Sequence, residues 1–400
     1  MSTSPPTILQ VIPRLEEGGA ERTTIEIAEA LVKAGARALV ATQGGRLEGA
    51  LEDAGGEIVR LPVASKNPAR IWLNAGRLAE IVTREQVSLI HARSRAPAWS
   101  AYWAAQRLQL PFVTTYHGAY AEAGPLKRMY NSVMANGDRV IANSQFTAGL
   151  IRTRYGIAPE KLAIIYRGID PARFDPTAIA PARLATLRTR WGLKDGDRVV
   201  LMVARLSKLK GQHVVIEAAR LMRQRGALDG LVIVLAGGSG NKAEYADKLR
   251  ALVAEAGLES HIRLPGPLDD VPAGYALAEL GLCASIEPEG FGRTSVEAAA
   301  MACPVIVSDI GGLPETIVSA PAAQITGWRV LPGDAAALAQ ALSMALRLPA
   351  AERLAIGQRG RQLVTRRFLA GDLKRHTLQV YDGLLGTSLV KTDGKLPIHS

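Results

Sequence analysis

The chain has 400 residues, 48% hydrophobic, 21% charged and 5% aromatic, which gives roughly two or three domains and enough apolar mass to exclude a disordered chain. Its longest apolar runs, Val199–Ala204 and Leu231–Ala236, are strand-sized and far short of the ~20 residues that span a bilayer, and the start Met1-Ser2-Thr3-Ser4-Pro5-Pro6 lacks the pattern of a secretory signal. Lys plus Arg number 48 against 37 Asp plus Glu; the net +11 splits into +5 over residues 1–170 and +6 beyond, with no basic tail or dense tract. A nucleic-acid binder would concentrate that charge on one stripe. Diffuse basicity fits a phosphate-rich ligand or an anionic membrane face. The two cysteines, Cys283 and Cys303, read as buried thiols, supplying neither a zinc set nor a disulfide framework.

In chain order, short β-branched runs alternate with amphipathic stretches, the pattern of parallel sheets flanked by helices. Strands are predicted at Ile8–Ile12, Ala38–Ala41, Glu57–Leu61, Ser88–His91, Pro111–Thr115, Arg139–Ala142 and Lys161–Ile165, with helices at Ala20–Lys33, Arg70–Arg84, Pro97–Leu108 and Gln145–Arg154. Asp170–Ala185 holds three prolines, loses the alternation and reads as a linker. The pattern restarts with strands at Arg198–Val203, Leu231–Ala236, His261–Leu264, Leu280–Ala284 and Val305–Ser308. Helices follow at Gln212–Arg225, Ala243–Glu255, Ser295–Ala302 and Ala335–Leu346. The expected fold is α/β, two doubly wound halves with ligand beyond the carboxyl ends of the strands and a cleft between the halves as the natural site.

The segment Glu287-Pro288-Glu289-Gly290-Phe291-Gly292-Arg293-Thr294-Ser295-Val296-Glu297 carries the strongest chemical signal. A strand ends near Ser285 and a helix starts near Thr294, so the amides of Gly292 to Ser295 would form an anion cradle reinforced by the helix dipole. Glu289 and Glu297 would flank it, suiting a phosphate with a polyhydroxyl group on either side. After the first strand of the second half, Ala204-Arg205-Leu206-Ser207-Lys208-Leu209-Lys210-Gly211 offers the Arg205 fork and the Lys210 point charge for two adjacent phosphates. Gly18-Gly19 lies between the first strand and helix, where backbone can approach a ligand closely; a tight turn is the rival reading. His117 closes another strand of the same sheet edge. Gly237-Gly238-Ser239-Gly240 lacks the dinucleotide spacing, and Asp195-Gly196-Asp197, which resembles a metal-binding acidic pair, reads as a turn.

At these residues the chain resembles the retaining glycosyltransferases of family 4, over most of its length. Glu289 and Glu297 match the family's paired glutamates with the Gly290-Phe291-Gly292 insert between them. Arg205 and Lys210 match its diphosphate-binding pair, Gly18-Gly19 its N-terminal glycine loop, and Asp309-Ile310-Gly311-Gly312-Leu313-Pro314-Glu315 another segment lining the donor site. The resemblance implies the GT-B fold: a Rossmann-like acceptor domain over 1–170, a nucleotide-sugar domain over 171–369, a helix near 370–386 crossing back to the first domain, and a tail over 387–400. It also implies catalytic roles for Arg205, Lys210, Glu289 and His117. Arg205 and Lys210 would stabilise the departing diphosphate, Glu289 the sugar hydroxyls, and His117 would lie near the sugar. Donor contacts would come from Gly18, Gly19, Gly290, Phe291, Gly292, Arg293, Thr294 and Glu297, with no cofactor and no metal ion. Two departures stand out: Ala302 where the family commonly has glycine, and Arg167 where asparagine is frequent.

Within the family, His91-Ala92-Arg93-Ser94-Arg95-Ala96-Pro97-Ala98-Trp99 and Tyr130-Asn131-Ser132-Val133-Met134 resemble bacterial lipopolysaccharide-core sugar transferases, mannosyltransferases among them. This implies a GDP- or UDP-sugar donor, GDP-mannose favoured, whose base meets the stretch around Arg263–Asp270. The acceptor would be an anionic lipid-linked glycan, gripped by Arg93 and Arg95 after a strand and by Lys127 and Arg128 in a helix beyond His117. The protein would be cytoplasmic and peripheral at the inner membrane face. A sugar-nucleotide epimerase of the same fold and a nucleic-acid-binding module are the rival classes. A nicotinamide dehydrogenase is excluded because the first glycine pair lacks a third glycine at the right spacing.

Overall fold

Each β-branched run becomes a strand, and each stretch with apolar residues every three to four positions becomes a helix lying on it. The structure is a computed structural model that describes residues 5–16, 18–120, 124–240 and 243–390. The chain divides into two units, one from the N-terminal part through Tyr166 together with Ala370 onward, the other from Arg167 to Leu369.

The first unit runs β1 (Thr7–Val11), α1 (Gly19–Lys33), β2 (Arg37–Thr42), α2 (Glu48–Asp53), β3 (Glu57–Arg60), α3 (Pro68–Arg84), β4 (Val87–Ala92), α4 (Arg95–Leu108), β5 (Phe112–Tyr116), α5 (Pro125–Ser132), β6 (Arg139–Ala142), α6 (Gln145–Tyr155) and β7 (Leu162–Ile164). Its seven strands form one parallel sheet in the order β3-β2-β1-β4-β5-β6-β7. Leu9 and Val11 point into one core with Leu39 and Ile90, while Ile8 points into the other with Val40 and Leu89, so the sheet is covered on both faces. Helix starts follow local chemistry: Asn67 accepts from the Ala69 and Arg70 amides ahead of α3, and Ser144 from the Thr147 amide ahead of α6.

The second unit runs α7 (Pro181–Arg190), β8 (Arg198–Val203), α8 (Gln212–Gln224), β9 (Leu231–Ala236), α9 (Ala243–Glu255), β10 (Ile262–Arg263), α10 (Val271–Leu277), β11 (Ala278–Cys283), α11 (Arg293–Ala300), β12 (Val305–Ser308), β13 (Gly327–Val330), α12 (Ala335–Arg347) and α13 (Ala350–Arg367). Its parallel sheet has the order β10-β9-β8-β11-β12-β13. Val200, Met202, Ile233, Leu235, Leu280 and Leu282 share one core with α8 and α12. The last helix, α14 (Ala370–Leu385), belongs to the first unit, where Leu373, Leu378 and Tyr381 complete a core with Ile8, Val113 and Ile141.

Several expectations need correction. The Asp170–Ala185 stretch is not a plain linker: it holds a 3-10 turn at Pro176–Ala178 and the start of α7, because Pro176 and Pro181 occupy first-turn positions where their missing N–H costs nothing. β13, α2, α10 and α13 were not anticipated. The expected tail from Thr387 is ordered at its start, where Asp382 accepts from the Thr387 hydroxyl and from the Leu389 and Val390 amides; residues 391–400 lie outside the described residues.

Candidate active site

In both sheets β1 and β8 stand at the point where the strand order reverses, and the loops beyond their carboxyl ends are where an open α/β sheet takes ligand. In the second unit three such loops are stitched together. A Cβ at Gly211 would sit 1.9 Å from the Ala284 carbonyl oxygen, and the Ile286 amide donates to the Leu209 carbonyl at 2.9 Å, joining the loop after β8 to the loop after β11. A Cβ at Gly312 would lie 2.5 Å from the Gly290 oxygen, and the Gly312 amide donates to the Glu289 carbonyl at 2.8 Å. Any side chain at Gly211 or Gly312 would push these loops apart.

The stitching brings Lys210 Nζ to 2.7 Å from Glu289 Oε1, and the Ser285 hydroxyl donates to the same carboxylate. Arg205 is exposed on the same loop as Lys210 and, among the described residues, engages no carboxylate. α11 starts at Arg293 behind Gly292, whose φ of 114° is the left-handed conformation that favours glycine, and no side chain caps this start. The Ser295 hydroxyl donates to the Gly292 carbonyl at 2.8 Å and lies 2.6 Å from the Thr316 hydroxyl, fixing the turn. Glu297, one turn in, accepts from Arg293 Nε at 3.1 Å. Two cations and a helix start with its dipole directed outward can hold a diphosphate, while Glu289, already oriented by Ser285, can accept from sugar hydroxyls.

Not every expected donor contact uses its side chain. Phe291 is buried, its ring set edge-on to Phe368 with centroids 5.2 Å apart, so it anchors the loop in the core and only its backbone is left for a ligand. Thr294 lies 3.3 Å from the Cys283 sulfur, and burial pushes the Cys283 thiol up to about 12, which keeps it un-ionised. Gly237 is a packing glycine, since its Cβ would fall 1.9 Å from the Ala204 oxygen. Asp195-Gly196-Asp197 is a turn in which Asp197 accepts from the Lys194 amide at 2.7 Å and Gly196 takes φ 86°. Among the described residues no set of His, Cys, Asp and Glu is grouped to hold a metal ion.

In the first unit, Gly18 is the N-cap of α1 and Gly19 its first residue; Glu17, from the same motif, lies outside the described residues. His117 follows β5, and its carbonyl accepts from the Asn143 side chain at 3.2 Å. Arg93 and Arg95, both expected to grip the acceptor, would project together only on an extended chain, and that chain stops at Ser94, where Arg95 opens α4. Arg93 is 1% exposed, and its Nε and Nη2 are buried with no hydrogen-bond partner among the described residues. Burial lowers its pKa to about 10, against the pull of Tyr381 and Glu26, so it stays charged at neutral pH. Arg93 is therefore an interior charge, not a surface grip. Beside it His91, buried between the Tyr381 and Thr115 hydroxyls at 2.7 Å each, is held neutral by desolvation. Arg95 is half-buried, donating to Asn131 Oδ1 at 2.9 Å and lying 4.0 Å above the Tyr120 ring. Lys127 and Arg128 are exposed on α5, and Arg128 donates to the Arg154 carbonyl.

Residues 17–173 match Glycosyltransferase Family 4 and residues 185–363 match Glycosyl transferases group 1. A crystal structure of a glycosyltransferase from Rickettsia africae is 33% identical, covers 95% of this chain and 99% of its own, and superposes with a TM-score of 0.85. The chain belongs to glycosyltransferase family 4. The fold is accordingly GT-B, built from two Rossmann-like parallel-sheet domains. Among curated relatives of this family, the D-inositol 3-phosphate glycosyltransferase of Salinispora tropica is 33% identical over 73% of this chain and 63% of its own length. The GDP-mannose-dependent alpha-(1-6)-phosphatidylinositol monomannoside mannosyltransferase of Mycobacterium tuberculosis is 31% identical over 57% of each chain. The chain thus spans about three fifths of the length of the curated relatives it matches.

Ser285, whose hydroxyl donates to Glu289, is a residue of the candidate site that the sequence did not single out. Its signal was a hydroxyl closing an apolar strand four residues before Glu289, visible only as a strand end until the loop's path was known. Ala302, where the family commonly has glycine, takes φ 55°, the left-handed conformation that explains the glycine.

Proposed function

We propose that this chain is a retaining, metal-independent glycosyltransferase that moves a sugar from a nucleoside-diphosphate sugar to an anionic lipid-linked glycan, with GDP-mannose the favoured donor and a lipopolysaccharide core the favoured acceptor. The observation that carries it is the Lys210–Glu289 pair beside Arg205 and the uncapped start of α11. Lys210 and Arg205 neutralise the negative charge that grows on the diphosphate as the sugar leaves, a role the helix start shares. In the free protein Glu289 holds Lys210 in place; with donor bound, Lys210 turns to the phosphate and Glu289, kept by Ser285, accepts from the sugar hydroxyls. Glu297 takes the ribose. No side chain of the site is assigned as a covalent nucleophile, so the acceptor attacks from the face the diphosphate leaves.

The names of the curated relatives support the substrate class: one carries an inositol phosphate, the other GDP-mannose and a phosphatidylinositol mannoside. On the acceptor side the reading uses Arg95, Lys127 and Arg128. The test is thermal unfolding with a panel of nucleotide sugars. A donor at 100 times its Kd adds about 2.7 kcal/mol to stability. Stabilisation by GDP-mannose above the UDP-sugars is expected; a UDP-sugar as sole stabiliser would reassign the base, and stabilisation by none would remove the reading.

A further inference from the structure

Three helices of the first unit present large apolar side chains and positive charge together. The Ser100 hydroxyl of α4 donates to the Ile71 carbonyl of α3 at 2.7 Å, and the Trp99 indole N–H of α4 donates to the Tyr130 carbonyl of α5 at 3.0 Å, so α4 touches both neighbours. Trp72 follows Ile71, and Trp103, one turn beyond Ser100, has its ring centroid 5.6 Å from that of Trp99. On these helices Trp72 is 69% exposed, Leu73 50%, Trp103 40%, Leu126 79% and Met129 62%. Isolated exposed apolar residues are ordinary; five large ones on α3, α5 and the α4 helix that touches both are not.

The charge of the same helices is overwhelmingly positive. α3, α4 and α5 carry Arg70, Arg77, Arg84, Arg95, Arg107, Lys127 and Arg128 against the single carboxylate of Glu80. Arg84 is paired with Glu85, outside α3. Arg70, Arg77 and Arg107 are exposed and, among the described residues, held by no carboxylate. No helix among the described residues is long and apolar enough to cross a membrane.

We propose that the surface of α3, α4 and α5 is an interfacial docking face for an anionic bilayer. Trp72, Trp103, Leu126 and Met129 enter the headgroup boundary, and Arg70, Arg77 and Arg107 meet the lipid phosphates. Tryptophan suits that boundary because its ring is apolar and its N–H still needs a polar partner. The cations supply the long-range attraction and the apolar side chains the short-range hold. A surface with seven cations to one carboxylate matches an anionic lipid layer better than a protein partner, whose own interface would carry both signs. The proposal rests on the reading that the acceptor is lipid-linked, and it names the surface that would bring the protein to such an acceptor.

The experiment uses the full chain with vesicles of phosphatidylcholine alone or mixed with phosphatidylglycerol, read by cosedimentation and tryptophan emission. The expected result is binding and blue-shifted emission with the mixed vesicles only, weakened by added salt. Trp72→Ala with Leu126→Glu should lower partitioning about tenfold or more, and Arg70→Gln with Arg77→Gln about tenfold. Both double variants should keep the wild-type melting temperature and its rise with nucleotide sugar, which reports an intact fold. Wild-type protein that ignores anionic vesicles, or binding that these changes leave untouched, overturns the proposal. So does lipid-free dimerisation abolished by the same changes, which would give the face to a second copy of the chain. Vesicle binding without any response to nucleotide sugar would leave the docking face standing and remove the transferase reading, so the two fail separately.

Discussion

Replacing Lys210 with alanine separates a structural ion pair from a catalytic cation. Lys210 Nζ lies 2.7 Å from Glu289 Oε1, with the two side chains 29% and 22% exposed. A pair this accessible to water contributes about 0–1 kcal/mol to folding. For a unit of this size such a loss lowers the melting temperature by at most about 2–4 °C. If Lys210 instead meets the diphosphate as charge develops on it, its removal costs about 2.7–4 kcal/mol in the transition state, or two to three orders of magnitude in kcat. The assay is steady-state turnover alongside thermal unfolding of the same Lys210→Ala protein. A large fall in kcat with a small fall in melting temperature is expected. Near-normal kcat in a folded variant, or a kcat loss that simply tracks unfolding, would refute the assignment.

Three further outcomes are expected. Turnover should survive chelation by EDTA, because in the proposed mechanism Arg205, Lys210 and the α11 start neutralise the leaving group; complete loss restored by Mg²⁺ or Mn²⁺ would put a metal ion in the reaction. Arg95→Ala should raise the acceptor KM with donor affinity nearly unchanged, and the wild-type acceptor KM should rise with salt; loss of nucleotide-sugar binding instead would move Arg95 to the donor side. Ala302→Gly should stabilise the protein by about 0.5–1 kcal/mol, the relief of a left-handed alanine less the extra freedom of glycine when unfolded. That gain is measurable by calorimetry, and a fall in melting temperature would show that the φ of 55° carries no strain.

The parallel sheets were legible because their strands are buried on both faces and therefore read as continuous β-branched runs, as in Val199–Val203 and Leu231–Ala236. β13 escaped because Gly327-Trp328-Arg329-Val330 is only four residues long and carries a glycine and an arginine. α13 escaped because five arginines and two glycines blur its apolar stripe; Gly357 is there for packing, since a Cβ on it would fall 1.9 Å from the Ala302 oxygen. Pro181 misled as a breaker when it begins a helix. At the candidate site, the positions of Arg205, Lys210 and Glu289 on loops past strand ends were legible. Their pairing was not, because it depends on how closely Gly211 and Gly312 let three loops approach. Arg93 was legible as a strand-end cation but not as a buried one, since the side chains beside it include His91 and Tyr381, residues 290 positions apart.

The route of the chain also sets an order of events during synthesis. The second unit is one unbroken stretch, Arg167–Leu369, while the first waits for α14. A ribosome adding about 5–20 residues per second takes roughly 10–40 s to make that stretch. Throughout that interval Ile8, Leu89, Val113 and Ile141 lack the Leu373, Leu378 and Tyr381 side chains that cover them in the finished core. The later-made half can fold first, and the nascent N-terminal half presents an apolar face covered only in part, by α1 and α2, to chaperones until the last helix emerges.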